Sequence, residues 1–308
     1  MKRANINKGI VARCLGAFYI LLCGSACTDP AASTQSEWQG SGVALYADYE
    51  PFATKPLRIF YFVPNTAGPD APVLFVFHGS ERNALEYRNA LIDKSKKDGF
   101  ILVVPEFTEL DFPGVNAYQL GNVYQNGDSP SVATRNLEPY WSLSLVEPIF
   151  SFVKLKTRNT SATYSALGHS GGAQFLHRFL LFKPTSKINK AVISAAGWYT
   201  VPDTAIAFPY GLKESPYQPL FSQNLWAKTL FVQVGSADVN SNSTSVRHTP
   251  EADLQGANRL ERAQYFYNSA RNTASQQGWV FAWQLKIAPG LSHDYVDALN
   301  YGAALLFP

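Results

Sequence analysis

Beyond position 27 the 308-residue chain contains no cysteine. The body of the protein therefore has no disulfide framework and no cysteine-ligated metal site. Charge is scarce too: 16% of residues are Asp, Glu, Lys or Arg, against roughly 25% in an ordinary soluble domain. No run of like charge marks a nucleic-acid surface, which excludes that class of partner. There is no internal repeat. The apolar stretch "LGAFYILLCGSAC" from Leu15 to Cys27 is too short to span a bilayer comfortably.

That stretch follows Lys2, Arg3, Lys8 and Arg13 and ends in small residues, the pattern of a secretory signal. Residues 1–26 are therefore expected to direct export and to stand outside the fold. Two readings of the processing site stand side by side. Gly24-Ser25-Ala26 fits an ordinary signal-peptidase site, giving a periplasmic or secreted protein. Cys27, preceded by the same small residues, fits the lipidated cysteine of a bacterial lipoprotein held at the outer membrane, although Gly24 stands where a large aliphatic residue is usual. The signal carries four of the 26 basic residues and no acidic one, so the remainder has 22 basic against 23 acidic residues, a net charge of −1 in place of +3.

What is present is apolar and aromatic: 46% hydrophobic residues and 14% Phe, Trp and Tyr, enough for a large core. Residues 27–41, with "TDPAASTQSEWQG", are small and polar and read as a flexible tether. Residues 42–308 read as one catalytic domain. Strands are expected near 42–47, 57–63, 72–77, 100–104, 163–167, 191–196, 229–234 and 280–287. The central ones, such as "PVLFVF" and "FILVV", are continuous apolar runs without polar alternation, as in strands buried on both faces of a parallel sheet. Helical segments at 83–99, 141–156, 173–183 and 254–278 lie between them. Strands alternating with helices imply an α/β sheet with right-handed crossovers. Residues 105–140 and 197–228 break the alternation as two long excursions rich in aromatic residues, and both emerge at the carboxyl ends of strands, where open α/β sheets place their sites.

One short stretch carries the chemistry. "TYSALGHSGG" runs from a strand through Gly168-His169-Ser170-Gly171-Gly172 into a helix, the strand–Gly-x-Ser-x-Gly–helix order of a nucleophile elbow. Gly168 and Gly172 leave room for the bend. Ser170 needs a base, and in this motif's fold the order along the chain is serine, acid, histidine. His293, in "APGLSHDY" after the last strand, is the candidate base, and His248 in "SVRHTP" is its rival. Asp238, in "VQVGSADVN" after the next-to-last strand, is the candidate acid, with Asp203 as the alternative. Asp294 fits a helix cap. His177, two helical turns past Ser170, fits local packing. "FVFHGS" places Ser80 at the end of the third strand, so that the backbone N–H groups of Ser80 and Gly171 are candidates to hold an oxyanion. His78 fits a structural hydrogen-bonder of that loop. Trp198, Tyr199, Phe208, Tyr210 and Tyr217 are candidates either for the walls of an acyl or alcohol pocket or for core packing.

With these pieces in order, the chain over residues 42–308 resembles the α/β-hydrolase superfamily. "FHGSERN", "GFILVVPEF", "GHSGGAQFLHRF", "AAGWYT" and "PGLSHD" are most similar to its branch of secreted polyhydroxybutyrate depolymerases and feruloyl esterases. The resemblance implies an α/β-hydrolase fold, a mostly parallel eight-stranded sheet with helices on both faces. It implies hydrolysis of a small or polymeric carboxylic ester through a Ser170–His293–Asp238 triad and an acyl-enzyme, without metal or organic cofactor. The chain departs from the branch in having Ser80 and Gly171 where cysteine and alanine are usual, which leaves polymer hydrolysis open. Two other functions stand beside the esterase: a serine peptidase on the same fold, and a non-catalytic surface binding module.

Overall fold

In the computed structural model, which describes residues 36–217 and 219–308, the apolar runs form one eight-stranded sheet. Its strands are β1 (Gly40–Tyr46), β2 (Leu57–Val63), β3 (Val73–Phe77), β4 (Ile101–Pro105), β5 (Tyr164–His169), β6 (Ile188–Ser194), β7 (Thr229–Gly235) and β8 (Gln284–Ala288). Their order across the sheet is β1-β2-β4-β3-β5-β6-β7-β8. Only the β1/β2 and β2/β4 pairings are antiparallel; the others are parallel.

The missing polar alternation of the central strands has a direct cause. Along β3, Val73, Phe75 and Phe77 enter one buried cluster, while Leu74 and Val76 enter another on the opposite face. The first cluster is covered by helices Val146–Thr157, Gly171–Phe182 and Arg259–Gln276. Helices Ala84–Ala90 and Tyr295–Leu306 cover the second. With both faces dry, both side-chain sets must be apolar. The chain is thus an α/β sheet with helices on both faces, as expected.

Three expectations are corrected in detail. The segment 83–99 is two helices, Ala84–Ala90 and Ile92–Asp98, interrupted at Leu91, whose backbone (φ −112°, ψ 3°) leaves the helical region. The last strand is short, Gln284–Ala288 rather than 280–287. The carboxyl end of the proposed tether is not a tether at all. Trp38 is buried, its indole stacks on Tyr61 at 4.0 Å, and its backbone N–H, with that of Glu37, donates to the carbonyl of Lys156. One large aromatic among small polar residues docks the segment that precedes β1, because its burial outweighs the cost of ordering a few residues. The signal segment, Cys27 and the rest of the tether lie outside the described residues. Among the described residues no helix is long and apolar enough to cross a membrane.

Candidate active site

Strands β3, β5, β7 and β8 run parallel, so their carboxyl ends emerge on the same edge of the sheet. Loops leaving those ends carry Ser80, Ser170, Asp238 and His293. The architecture therefore gathers residues far apart in sequence at one place, the crevice where α/β sheets hold their ligands.

Ser170 stands between β5 and helix Gly171–Phe182 with φ 53° and ψ −114°. A side chain at positive φ is strained by about 1–3 kcal/mol and persists only where its surroundings enforce it. Here the glycines permit the bend. A Cβ on Gly168 would lie 2.3 Å from the carbonyl oxygen of Gly172, and one on Gly172 would lie 2.0 Å from that of Phe77. Both obstacles are backbone atoms that cannot swing aside. The Ser170 N–H donates to Ser194 on the neighbouring strand, 2.9 Å away, which ties the elbow to the sheet.

His293 Nε2 lies 3.0 Å from Ser170 Oγ, and His293 Nδ1 lies 2.7 Å from Asp238 Oδ2. The sequence-predicted serine, histidine and aspartate thus form one hydrogen-bonded chain, with separations of 123 and 55 residues between successive members. The rivals lie elsewhere. His248 pairs with Asp253 (2.8 Å) and the carbonyl of Ser241 (2.7 Å). Asp203 accepts from Ala205 N–H within its own turn. Asp294 caps helix Tyr295–Leu306 by accepting from Asp297 N–H at 3.0 Å. His177 donates from Nδ1 to the carbonyl of Ala173, and its Nε2 accepts from Thr200 N–H.

Ser80 and Gly171 meet across the elbow. A Cβ on Gly171 would lie 3.0 Å from the backbone nitrogen of Ser80, so the two main chains run side by side next to Ser170. Gly171 opens its helix, where N–H groups have no intrahelical acceptor. The Ser80 loop is locked by His78. Its Nδ1 donates to the carbonyl of Gly79, its Nε2 accepts from Phe107 N–H, and its own carbonyl accepts from the Tyr118 hydroxyl. Burial pushes the His78 imidazole down from 6.5 to about 3, so it is neutral and fixed in one tautomer.

Several participants carry no signature in the sequence. Arg259 is buried and donates from Nη1 to Asp238 Oδ1 at 3.2 Å and from Nη2 to Ser245 Oγ at 2.5 Å. Burial lowers the Arg259 pKa from its ordinary value, and the Asp238 charge opposes that shift. Asp238 is itself buried, so its two oxygens are divided between the histidine and the arginine. In sequence Arg259 reads only as a charged residue of an amphipathic helix. His169 is held by Tyr87, with 3.0 Å between its Nδ1 and the hydroxyl, and its ring lies 4.7 Å from that of His293. Burial first, and then the charges of His293 and Arg259, drive its pKa well below the ordinary histidine value. A neutral imidazole thus packs against His293.

The aromatic candidates separate. Trp198 lines a cleft that reaches Ser170, with the guanidinium carbons of Arg178 and Arg247 at 4.3 and 4.9 Å from its ring. Tyr199 does not face the cleft. It is fully buried, stacks on Phe266 at 4.4 Å, and its main chain is bracketed by Gln255. Tyr199 is a core residue, and its expected place in a substrate pocket is corrected. Phe208 is also buried, against Tyr124 and Phe182. Among the described residues no group of three or more His, Asp, Glu or Cys side chains is arranged to hold a metal ion.

No protein-family model matches the chain, and no curated protein is significantly similar to it. Solved structures are similar. Poly(aspartic acid) hydrolase-1 from Sphingomonas sp. KT-1 is 35% identical, over 88% of this chain and 99% of that one, with a TM-score of 0.82. A poly(3-hydroxybutyrate) depolymerase from Bordetella parapertussis is 27% identical, over 88% of this chain and 91% of that one, with a TM-score of 0.80. An S-formylglutathione hydrolase from Agrobacterium tumefaciens, 16% identical over 86% of this chain and 92% of that one with a TM-score of 0.52, shares the fold. With such likeness over the whole described body, the chain belongs to the α/β-hydrolase superfamily, as a hydrolase of its esterase and depolymerase branch.

Proposed function

We propose that this protein is an exported serine hydrolase that cleaves carboxylic esters through Ser170, His293 and Asp238. The observation that carries the proposal is His293, placed between Ser170 Oγ at 3.0 Å and Asp238 Oδ2 at 2.7 Å. Those are hydrogen-bond distances for a nucleophile, its base and the group that orients the base.

Ser170 Oγ attacks the ester carbonyl carbon while its proton passes to His293 Nε2. The carbonyl oxygen takes up negative charge and accepts from the N–H groups of Ser80 and Gly171. One such donor contributes about 10²–10³ in rate. Asp238 stabilises the imidazolium and keeps Nδ1–H directed at itself. Collapse of the tetrahedral intermediate breaks the bond to the alkoxy oxygen, which takes the proton from His293 and leaves as the alcohol. Water, deprotonated by His293, then attacks the acyl-enzyme and releases the acid and free Ser170. No redox partner enters the balance. Export rests on the amino-terminal sequence alone, as does membrane attachment through a lipidated Cys27.

Ser170→Ala tests the reading. The variant is expected to fold and to lose hydrolysis of p-nitrophenyl butyrate and labelling by a fluorophosphonate. Turnover equal to that of the parent would refute the assignment.

A second reading has one observation in its favour. The 35% identical relative is a poly(aspartic acid) hydrolase, and the units of poly(aspartic acid) are joined by amide bonds. The same acyl-transfer steps cleave an amide when His293 protonates the departing nitrogen. Amine release from poly(aspartic acid), with no turnover of esters, would favour it.

A further inference from the structure

Tyr87 and His169 are buried, each with 2% of its surface exposed, and the catalytic steps above use neither. Both stand in the middle of the site. Tyr87, on helix Ala84–Ala90, reaches three of the segments that carry reacting groups. Its hydroxyl lies 3.0 Å from Nδ1 of His169, the residue before Ser170. A Cβ on Gly79, the residue before Ser80, would lie 2.9 Å from the same hydroxyl. Its ring stacks on that of Tyr295, two residues after His293, at 4.9 Å and 5° from parallel.

The two partners of the hydroxyl set its direction. A backbone N–H can only donate, so that of Gly79 donates to the Tyr87 oxygen; burial pushes the phenol pKa up, and this bond opposes the rise. The Tyr87 proton is then directed at His169 Nδ1, which puts the His169 hydrogen on Nε2. Nε2 has no hydrogen-bond partner among the described residues. What His169 offers His293 is therefore a ring surface, with 4.7 Å between centroids and 35° between planes.

His293 needs that surface. Asp238 and Ser170 hold its two nitrogens, yet 27% of its side chain remains exposed. Hydrogen bonds in the plane of a ring resist sliding more than tilting, and the His169 ring blocks tilting from one side. The hydroxyl that fixes His169 also abuts the main chain leading to Ser80. One link thus runs from the oxyanion loop, through Tyr87 and His169, to the catalytic base. Donor and base act on the same tetrahedral centre, and such groups work only when held within about 0.5 Å of the productive geometry.

We propose that Tyr87 and His169 are positioning residues, a hydrogen-bonded strut that fixes the separation between the Ser80 oxyanion loop and the His293 imidazole. This rests on the ester reading above. The strut moves no proton to or from the substrate. Its effect is on how well Ser80 N–H and His293 Nε2 are aimed at the reacting atoms, so it acts on the chemical step and leaves binding alone.

The test compares wild type, Tyr87→Phe, His169→Phe and the double variant on p-nitrophenyl butyrate and ethyl butyrate, in single turnovers with enzyme in excess. Tyr87→Phe keeps the ring and its stack on Tyr295 and removes only the hydroxyl. Its maximal acylation rate should fall by about ten- to a hundredfold, the scale on which misplacement by up to 1 Å acts. The half-saturating concentration and the near-ultraviolet circular dichroism should stay as in the parent. Ethyl butyrate should lose more than p-nitrophenyl butyrate, because ethoxide departs only with the proton from His293, whereas p-nitrophenolate departs without one. His169→Phe should lose a similar factor, and the double variant should fall little further, since the two side chains act through one hydrogen bond. A parental acylation rate in Tyr87→Phe would overturn the strut. So would a loss confined to binding, equal losses on the two esters, or losses that multiply in the double variant. Should the wild type hydrolyse neither ester, the ester reading fails and this inference with it; should it hydrolyse both while Tyr87→Phe matches it, the strut alone fails.

Discussion

Asp238→Asn separates two roles of one carboxylate. The amide keeps the side chain's shape and removes its charge. On the catalytic side, Asp238 holds Nδ1–H of His293 at 2.7 Å. An amide there presents a donor as readily as an acceptor and no longer stabilises the imidazolium. The expected loss in kcat is about 10⁴-fold, the size seen when a triad aspartate becomes asparagine. On the structural side, Arg259 loses the carboxylate at 3.2 Å, with side-chain exposures of 1% for the arginine and 2% for the aspartate. A buried charge deprived of its partner costs about 3–5 kcal/mol. At about 2–4 °C per kcal/mol for a domain of this size, that is a fall in Tm of roughly 6–20 °C. Adding Arg259→Met removes the orphaned charge, and buried pairs replaced by apolar residues are often neutral in stability. The double variant should recover most of the lost stability and none of the activity. Urea unfolding and p-nitrophenyl butyrate turnover measure the two effects separately. If Asp238→Asn stays within about tenfold of the parent in kcat, the orienting role is refuted. A double variant no more stable than Asp238→Asn would refute the orphaned-charge argument.

Two further perturbations test other parts of the structure. His78, His169 and His177 are buried and neutral, each held below the ordinary histidine value chiefly by burial. Their unfolded forms take up protons near pH 6.5. Stability is therefore fully present above about pH 6.5 and falls as pH drops towards the folded values, by roughly 2 kcal/mol at pH 5 for His78, whose folded value is about 3, with His169 and His177 acting in the same direction; an unchanged urea midpoint between pH 7 and pH 5 would contradict this. Trp38→Ala should cost about 3–5 kcal/mol, as for other buried tryptophans, while leaving kcat unchanged, because Trp38 packs on Tyr61 and Phe152, neither of which lines the clefts at Ser170. Parental stability in that variant would return residues 36–41 to the status of a tether.

The elbow was legible because its requirements are local. Gly168 and Gly172 are needed by backbone atoms within a few residues or on the adjoining strand, and that need is written into five consecutive positions. His293 and Asp238 were legible at second hand: the order of strands placed each in a loop after β8 and β7. Rival residues remained, because chain order alone does not say which loop residue reaches across. Trp198 and Tyr199 show the limit most clearly. They are adjacent, both aromatic and both buried, yet one lines the cleft and the other packs on Phe266.

The sequence by itself determined the α/β alternation, the reactive serine turn and the short set of acids and bases that could serve it. Those features repeat with the periods of helix and strand or sit within one turn. The tertiary structure alone decided that Arg259 shares Asp238 with His293, that Trp38 anchors the first strand, and that Tyr87 meets both His169 and Tyr295. These are contacts between side chains tens of residues apart. They depend on which faces the packed sheet turns towards one another, and no local period records that.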